Sequence, residues 1–374
     1  MKNKIRVGVV GATGYVGQRF VALLNNHPWF ELTALAAGLR SANKRYEEAV
    51  EGRWKMQEPL PENVKDMIIY PSEKVEEFAH KVDVVFCAVD MEAEPLISLE
   101  EEIARCEVPV VSNNSANRWT ADVPIIIPEI NHDHFELIEA QKQRLGTKKG
   151  FIVTKPNCSV QSFLPAITPL RDLGLEQVFV TTYQAVSGAG KLLNEWPEIQ
   201  DNVIPYISGE EEKTELEPMK IWGRVEGDHI ELAERPWISS QCLRVPVQEG
   251  HLAAVWIRFR KNCDANEILM RWRNYIPLPQ QLGLPSAPKP FLRYLEADDR
   301  PQPKLDAGSR HGMGITIGNL REDSIQDYKF TCLSHNTIRG AAGGGILTAE
   351  LLAHEGYIKS EHFKIPKDLS KSAK

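Results

Sequence analysis

Of the six cysteines in the chain, Cys158 is the one whose sequence surroundings suggest reactivity. It lies in the sequence Pro-Asn-Cys-Ser at 156–159, which follows a strand-like run and opens the helical run 160–167. Backbone N–H groups at the start of a helix stabilise a thiolate, but a helix dipole supplies only about 0.3–1 kcal/mol. At about 1.36 kcal/mol per pKa unit, this is too little to bring a thiol below pH 7. We therefore expect a cation or a base beside Cys158.

Two further residues lie where they could assist a cysteine nucleophile. His251 follows Gly250 and precedes a strand-like run, and an imidazole in contact with Cys158 would serve as an acid or a base. A single histidine is more often an ordinary surface or core residue, so this interpretation depends on its pairing with Cys158. Gln184 ends another strand-like run before a glycine loop, and its amide is suited to bind a developing oxyanion.

The amino-terminal region carries three glycines spaced as in a dinucleotide-binding turn. Gly11, Gly14 and Gly17 follow the strand-like run 5–10 and precede residues with helical spacing. Such glycines let the backbone approach a pyrophosphate at a helix N-terminus, where N–H groups favour an anion. The alternative is a tight turn that holds no ligand. The nucleotide interpretation also includes the residues between the glycines: Thr13, Tyr15 and Val16.

The residues after the second strand-like run favour NADP over NAD. An NAD site usually has an acidic residue about 20 positions after the glycines, where it binds the ribose 2′-hydroxyl. Residues 36–44 contain no acid but include Arg40, Ser41 and Lys44, which are suited to a 2′-phosphate. The alternative is that Arg40 and Lys44 are ordinary solvated charges of a loop.

The order of the elements predicts an α/β protein with two domains. Strand-like runs at 31–36, 82–88 and 108–112, with a helical segment near 96–106, indicate an amino-terminal Rossmann domain with a parallel sheet. Longer alternating strands follow, at 177–185 and 252–260, and they indicate a mixed α+β domain. We place the nucleotide-binding domain at 1–155, joined by a carboxy-terminal helix at 336–358. The second domain then spans 156–335, and 359–374 forms a tail.

Composition excludes several classes of protein. The chain has 374 residues, a net charge of -7 and 42% hydrophobic residues, which fits a globular protein and argues against a nucleic-acid partner. No apolar run is long enough to span a bilayer, and the first residues leave no room for a signal peptide. We therefore expect a cytoplasmic protein. The cysteines form no Cys-x-x-Cys pair, so we expect neither a metal site nor disulfides.

Several other residues have no expected role in catalysis or binding, and we expect them to be surface or core residues. We expect the glutamates at 100–102 and the histidines at 132 and 134 to be solvated. The remaining cysteines are expected to be small core residues, namely Cys87, Cys106, Cys242, Cys263 and Cys332.

Seven segments together resemble the aspartate-semialdehyde dehydrogenase family, in the branch found in archaea and fungi. They span nearly the whole chain in the right order, and they are residues 11–17, 40–41, 156–159, 183–190, 209–213, 244–251 and 335–343. The resemblance implies an NADP-dependent enzyme that converts L-aspartyl 4-phosphate into L-aspartate 4-semialdehyde, reversibly, in lysine, threonine and methionine biosynthesis. It also implies a homodimer or homotetramer formed through the sheet of the second domain.

The same resemblance assigns roles to individual residues. Cys158 is the nucleophile that forms a thioester, His251 the acid and base, and Gln184 the amide that orients the acyl intermediate. Arg244 clamps the substrate carboxylate, a task for which lysine is a poor substitute. The remaining implied contacts are Glu210 and Lys213 for the amino group and phosphate, Arg118 for phosphate, and Ser187, Gly188 and Asn336 for the nicotinamide end of NADP. Which of Glu210, Glu211 and Glu212 faces the substrate stays open.

Three alternatives remain. Archaeal malonyl-CoA and succinyl-CoA reductases resemble this branch and share its Cys-His-NADP chemistry, but an acyl-CoA offers no α-ammonium group for Glu210. A nucleotide-binding regulator without catalysis would have little reason to combine Cys158, His251, Gln184 and Arg244. A cysteine hydrolase would leave the glycine turn without a purpose.

Overall fold

The computed structural model describes residues 4–261, 263–360 and 363, and most of the predicted tail at 359–374 lies outside these residues. The first half of the chain forms a parallel sheet, because its strands are rich in valine and isoleucine and are buried on both faces. In the described residues this sheet has six strands in the order β3-β2-β1-β4-β5-β6, as in a Rossmann fold. The strands are β1 (Ile5–Val10), β2 (Phe30–Ala37), β3 (Ile69–Pro71), β4 (Val84–Cys87), β5 (Val110–Ser112) and β6 (Ile152–Thr154).

Helices connect these strands across both faces of the sheet. The glycine turn leads directly into the first of them, with Gly14 at its N-cap position. The helices are α1 (Tyr15–Leu24), α2 (Tyr46–Val50), α3 (Glu62–Lys65), α4 (Val75–Ala79), α5 (Ala93–Arg105) and α6 (Leu137–Leu145).

The second half of the chain forms a mixed sheet. Its order is β10-β7-β11-β14-β13-β12 over the part of the chain that the structure describes, and a small hairpin of β8 and β9 lies apart. The pairs β7/β10 and β12/β13 are parallel, whereas β11 runs antiparallel to β7 and to β14. The strands are β7 (Leu175–Gln184), β8 (Arg224–Glu226), β9 (His229–Glu231), β10 (Trp237–Arg244), β11 (His251–Phe259), β12 (Leu292–Leu295), β13 (Ile315–Glu322) and β14 (Tyr328–Ser334).

The helices of the second half pack on different cores. Helix α7 (Val160–Ile167) packs on the mixed sheet. Helix α12 (Gly343–His354) is buried on all sides within the core of the first sheet. Contact is close there, since a Cβ atom on Gly345 would lie 3.0 Å from the Phe20 ring. The helices are α7 (Val160–Ile167), α8 (Glu210–Ile221), α9 (Ala265–Asn274), α10 (Leu278–Leu282), α11 (Pro303–Asp306) and α12 (Gly343–His354).

Several predictions of which residues are buried and which are solvated are wrong. Cys106 is exposed and Cys263 is half-buried, so the core prediction holds for Cys87, Cys242 and Cys332. Glu100 and His134, expected to be solvated, are buried. Glu100 accepts hydrogen bonds from Ser112, Asn114 and Asn117, so its carboxylate organises the loop after β5. None of the helices in the described ranges combines the length and apolar character needed to cross a bilayer.

Candidate active site

Cys158 lies where the two sheets meet. It follows the carboxyl end of β6 and precedes α7, and a Cβ atom on Gly340 would lie only 2.8 Å from the Cys158 Cβ atom. The glycine therefore lets the carboxy-terminal segment pack directly beneath the cysteine. The Cys158 Sγ atom is 3.2 Å from the Nε2 atom of His251, a residue 93 positions away in the sequence.

The register of the mixed sheet explains why His251 has these neighbours. Gln184 ends β7, Arg244 ends the parallel strand β10 directly opposite, and His251 begins the antiparallel strand β11. All three side chains therefore belong to one edge of the sheet. Ser334, at the end of β14, pairs with His251, which brings the segment after it to the same edge.

The hydrogen bonds of His251 define its tautomer. The backbone N–H of Ala185 donates to the His251 Nδ1 atom at 3.0 Å, so this atom is an acceptor without a proton. In the neutral imidazole the proton is then on Nε2, which faces the Cys158 sulfur. In a doubly protonated ring, the Nδ1–H group would face the Ala185 N–H group, and two donors would oppose each other. The site therefore favours a neutral His251 that donates a hydrogen bond to Cys158.

Burial dominates the titration of this pair. It raises the pKa of Cys158 to about 12; the Glu210 carboxylate adds to the rise, while Arg244 and Arg118 oppose it. Burial also lowers the pKa of His251 well below 6.5, and the positive charge of Arg244 acts in the same direction. The cations expected beside Cys158 are present, but they do not outweigh the loss of solvation on burial.

A glycine makes room for Arg244 next to the pair. The Arg244 guanidinium is buried and donates to the Ala185 carbonyl oxygen at 2.7 Å. A Cβ atom on Gly188 would lie 2.7 Å from Arg244 Nη1 and 3.1 Å from His251 Cε1. A larger residue at 188 would therefore displace both side chains. Burial lowers the pKa of Arg244, and the neighbouring Cys158 and Glu210 oppose this shift.

Glu210 is the glutamate of its run that faces the site. It begins α8, it is buried, and its carboxylate accepts from Asn157 at 2.9 and 3.0 Å and from Gln184 at 3.1 Å. Lys213 lies one turn further along, 3.2 Å from the same carboxylate. Glu212 is exposed. Asn157 was not singled out from the sequence, although it belongs to the motif that contains Cys158.

Arg118 lies beneath this cluster, and most of its guanidinium group already binds other residues of the protein. Its Nη1 atom is 2.8 Å from Oε1 of Glu217, which is completely buried, and its Nε atom donates to the Lys155 carbonyl oxygen at 2.8 Å. The other Glu217 oxygen accepts from the Asn157 backbone N–H at 2.6 Å. Arg118 and Glu217 thus support the cysteine loop. Phosphate binding by the remaining Arg118 N–H groups stays a prediction.

The glycine turn has the shape that a dinucleotide requires. A Cβ atom on Gly11 would lie 2.3 Å from the Ala88 carbonyl oxygen, and a Cβ atom on Gly17 would lie 2.1 Å from the Gly11 carbonyl oxygen. Close packing therefore leaves no space for a side chain at either position. At Gly14 the nearest atom would be 3.4 Å away, so the start of α1 is open to an anion such as a pyrophosphate.

The residues after β2 fit a 2′-phosphate. Arg40 and Lys44 are exposed, whereas Ser41 is buried with its Oγ atom 3.5 Å from the Thr13 Oγ1 atom. No acidic side chain lies between residues 38 and 44. The turn and these donors together could hold NADP.

Four other residues predicted to contact the nucleotide have partners within the protein. The Tyr15 hydroxyl donates to Glu249 at 3.0 Å, and Val16 packs against the core of the first sheet. Asn336 donates to the Ser187 hydroxyl and accepts from the Gly250 N–H, both at 2.8 Å. These contacts tie the predicted nicotinamide end of the site to the loop that carries His251. Among the described residues, no group of three His, Cys, Asp or Glu side chains could hold a metal ion.

Comparisons with known proteins agree with this geometry. Residues 6–138 match the family described as semialdehyde dehydrogenase, NAD binding domain, and residues 167–339 match semialdehyde dehydrogenase, dimerisation domain. The aspartate-semialdehyde dehydrogenase of Archaeoglobus fulgidus is 43% identical over 94% of this chain and 99% of its own. The chain belongs to the aspartate-semialdehyde dehydrogenase family. The Saccharomyces cerevisiae member is 40% identical over 94% of this chain and 98% of its own.

A solved structure of the family has the same fold. The aspartate-semialdehyde dehydrogenase of Candida albicans, crystallised with NADP, superposes with a TM-score of 0.85 at 38% identity. The superposition covers 95% of this chain and all of the Candida chain. The predicted α/β architecture, a Rossmann domain followed by a mixed domain, is confirmed.

Proposed function

We propose that this chain is an NADP-dependent aspartate-semialdehyde dehydrogenase, which reductively dephosphorylates L-aspartyl 4-phosphate to L-aspartate 4-semialdehyde and also catalyses the reverse reaction. The observation that carries the proposal is the contact of 3.2 Å between Cys158 and His251, with Arg244 and Glu210 around it. Family membership supports the same conclusion. The assignment of Cys158, His251, Gln184, Arg244, Glu210 and Lys213 to their roles is part of this proposal.

Substrate recognition follows from the charges beside the thiol. Arg244 binds the substrate α-carboxylate and Glu210 its α-ammonium group, which places the acyl carbon next to the Cys158 Sγ atom. The Cys158 thiolate attacks this carbon, the phosphate leaves, and a thioester remains on the sulfur. Lys213, with Arg118 beneath, supplies positive charge for the departing phosphate. Neutralisation of Glu210 by the ammonium group removes one of the influences that keep Cys158 protonated.

His251 stabilises the reacting oxygen in the second half of the reaction. Bound NADPH would supply the hydride that reduces the thioester. The neutral His251 donates its Nε2–H in a hydrogen bond to the negatively charged oxygen of the tetrahedral adduct. This oxygen re-forms the carbonyl group as the carbon–sulfur bond breaks, so that the aldehyde and the Cys158 thiolate are released. Gln184 Nε2 donates to Thr182 and Glu210, and when the substrate ammonium group pairs with Glu210 one Gln184 N–H is released to orient the acyl oxygen.

The wider organisation of the enzyme is also part of the proposal. We place the nucleotide-binding domain at 1–155 with the returning segment 336–358, and the catalytic domain at 156–335. NADP is held by the glycine turn and by Arg40, Ser41 and Lys44. Oligomerisation, as a homodimer or homotetramer, uses the mixed sheet, which lies in the region matching a dimerisation domain. The cytoplasmic location stays a prediction.

A substrate comparison tests the proposal. The purified protein should reduce NADP with aspartate semialdehyde only when phosphate is present, and should be inactive with malonyl-CoA or succinyl-CoA and NADPH. Activity on the thioesters alone would assign the chain to the acyl-CoA reductases. Buried Glu210 disfavours that alternative, because an acyl-CoA has no cation to pair with its carboxylate.

Replacing Arg244 by lysine should weaken substrate binding more than it slows the chemistry. Lysine cannot donate to the Ala185 carbonyl oxygen and also clamp a carboxylate at two points. Loss of one charge-assisted hydrogen bond, about 1.5–3 kcal/mol, corresponds to about 10- to 150-fold in kcat/KM. Steady-state kinetics on Arg244→Lys, with Arg258→Lys on β11 as the control, measure this. Unchanged kinetics in the first variant would contradict the carboxylate clamp.

Replacing Glu210 by glutamine should make the free thiol more reactive. Because the Glu210 charge helps to raise the pKa of Cys158, its removal lowers that pKa and increases the thiolate fraction at pH 8. We expect alkylation of Cys158 by iodoacetamide to accelerate by up to about tenfold, the effect of one pKa unit.

The matched control for this experiment is Glu212→Gln. It removes the same charge from an exposed position on the same turn of α8. Its alkylation rate should equal that of the unchanged protein. Equal rates in Glu210→Gln and Glu212→Gln would show that the Glu210 carboxylate does not restrain the nucleophile.

A further inference from the structure

The loop before His251 is anchored by a carboxylate that the proposed reaction does not use. Glu249 lies two residues before His251 and is partly buried. Its Oε1 atom accepts from the Tyr15 hydroxyl at 3.0 Å and from Arg19 Nη2 at 2.6 Å. Its Oε2 atom is 2.6 Å from His335 Nε2, and the Thr337 hydroxyl donates to Oε1 at 3.3 Å. A side chain with this many donors is fixed in position.

The charges within this cluster centre on the pair of Glu249 and Arg19. The backbone N–H of Ile338 donates to His335 Nδ1 at 3.3 Å, so the proton of His335 Nε2 faces Glu249. The Arg19 side chain is only 5% exposed. Its other acidic partner, Glu58, is 60% exposed and 3.7 Å away. Glu249 therefore provides most of the compensation for a buried guanidinium.

Two of the four donors of Glu249 come from the helix that follows the glycine turn. Tyr15 and Arg19 lie one turn apart on α1, whose open amino terminus is the predicted pyrophosphate site. From Glu249 the backbone continues through Gly250, whose N–H donates to Asn336, to His251, whose imidazole contacts Cys158. The hydrogen bonds of Glu249 and this short backbone segment thus connect the nucleotide-binding helix with His251.

We infer that Glu249 is a positioning residue that fixes His251 relative to both α1 and Cys158. This inference rests on the proposed function. Glu249 contacts neither the Cys158 sulfur nor the His251 imidazole, and it acts by holding the backbone from which the His251 imidazole projects. Because the same carboxylate is bound by α1, the site for the nucleotide and the proton donor belong to one rigid arrangement. Small displacements of a reacting group are enough to slow an enzyme strongly.

Glu249→Gln tests the inference with two measurements. We expect kcat in the phosphate-dependent assay to fall by about 10- to 100-fold while KM for aspartate semialdehyde changes little. Without nucleotide, we expect Cys158 alkylation to slow at every pH below the thiol pKa, because the thiolate loses the His251 hydrogen bond. The control is Glu58→Gln, which removes the exposed partner of the same arginine and should change neither quantity.

A double-mutant cycle separates positioning from general destabilisation. If Glu249 acts through His251, Glu249→Gln should cause no further loss of kcat or alkylation rate in a His251→Asn background. Equal losses in both backgrounds, or unchanged alkylation in Glu249→Gln, would overturn the inference. If Glu249→Gln does not fold, Tyr15→Phe replaces it, with a smaller loss and the same dependence on His251. An inactive unchanged protein would refute the proposed function, while the alkylation cycle would still test the positioning.

Discussion

Cys158→Ala should abolish turnover and leave NADP binding close to that of the unchanged protein. The thioester cannot form without the sulfur, and loss of a covalent nucleophile costs at least about 10⁴-fold in kcat. The residues proposed to hold the pyrophosphate and the 2′-phosphate of NADP lie in the glycine turn and after β2, and in the described residues they make no hydrogen bond with Cys158. Turnover is measured with aspartate semialdehyde, phosphate and NADP, and nucleotide binding by quenching of intrinsic fluorescence.

The other cysteines provide the control for this experiment. Cys106 is an exposed thiol remote from the site, so Cys106→Ser should retain full activity. Mass spectrometry of protein treated with iodoacetamide should find that activity is lost with modification of Cys158 and not of Cys106. A Cys158→Ala variant within about tenfold of normal turnover would exclude the covalent mechanism.

The sequence was sufficient for the fold because the fold depends on local patterns. The valine-rich run at 5–10, the three glycines and the helical spacing after them define β1, the turn and α1 in succession. Short or irregular elements were not predicted: β3 has three residues, and α8, which positions Glu210, contains Pro218 and lacks a clear apolar face. Their conformation depends on packing against the rest of the chain.

The residues that form the candidate site could be predicted from the sequence, but the pKa shifts within the site could not. The resemblance placed Cys158, His251, Gln184, Arg244 and Glu210 in one site, and the structure brings them together. Burial, which raises the thiol pKa, depends on segments far apart in sequence, such as Gly340, which packs beneath Cys158. The pairing of Arg118 with Glu217 joins residues 99 positions apart. Only the three-dimensional arrangement could reveal it.

Glu249 shows how a weak signal in sequence can indicate a supporting role. It is an acidic residue two positions before a proposed catalytic histidine, in a loop with Gln248 and Gly250. Nothing in that pattern specifies a partner. Its donors come from α1 and from the segment after β14, which meet only because β11 pairs with β14 and the first domain packs against that edge.

His251→Asn should reduce kcat by about 10²- to 10³-fold, the usual cost of losing one hydrogen-bond donor to a developing oxyanion. The asparagine amide reaches only about as far as the Nδ1 position of the ring, so it places no N–H where Nε2 lies. KM for aspartate semialdehyde should change less, because Arg244 and Glu210 bind its charged groups. Steady-state kinetics in the phosphate-dependent direction measure the effect, and thermal unfolding checks that the fold is retained.

The pH dependence of the unchanged enzyme gives an independent test of the His251 tautomer. Burial lowers the pKa of His251 well below 6.5, so the imidazole is neutral throughout the range from pH 6.5 to 9. Protonation would require an N–H at Nδ1, where the Ala185 N–H already donates. The profile of kcat should therefore show no acidic limb near pH 6.5, and should rise toward alkaline pH as Cys158 ionises. An acidic limb near 6.5 that disappears in His251→Asn would mean that the ring titrates normally and that the Ala185 hydrogen bond does not control its protonation.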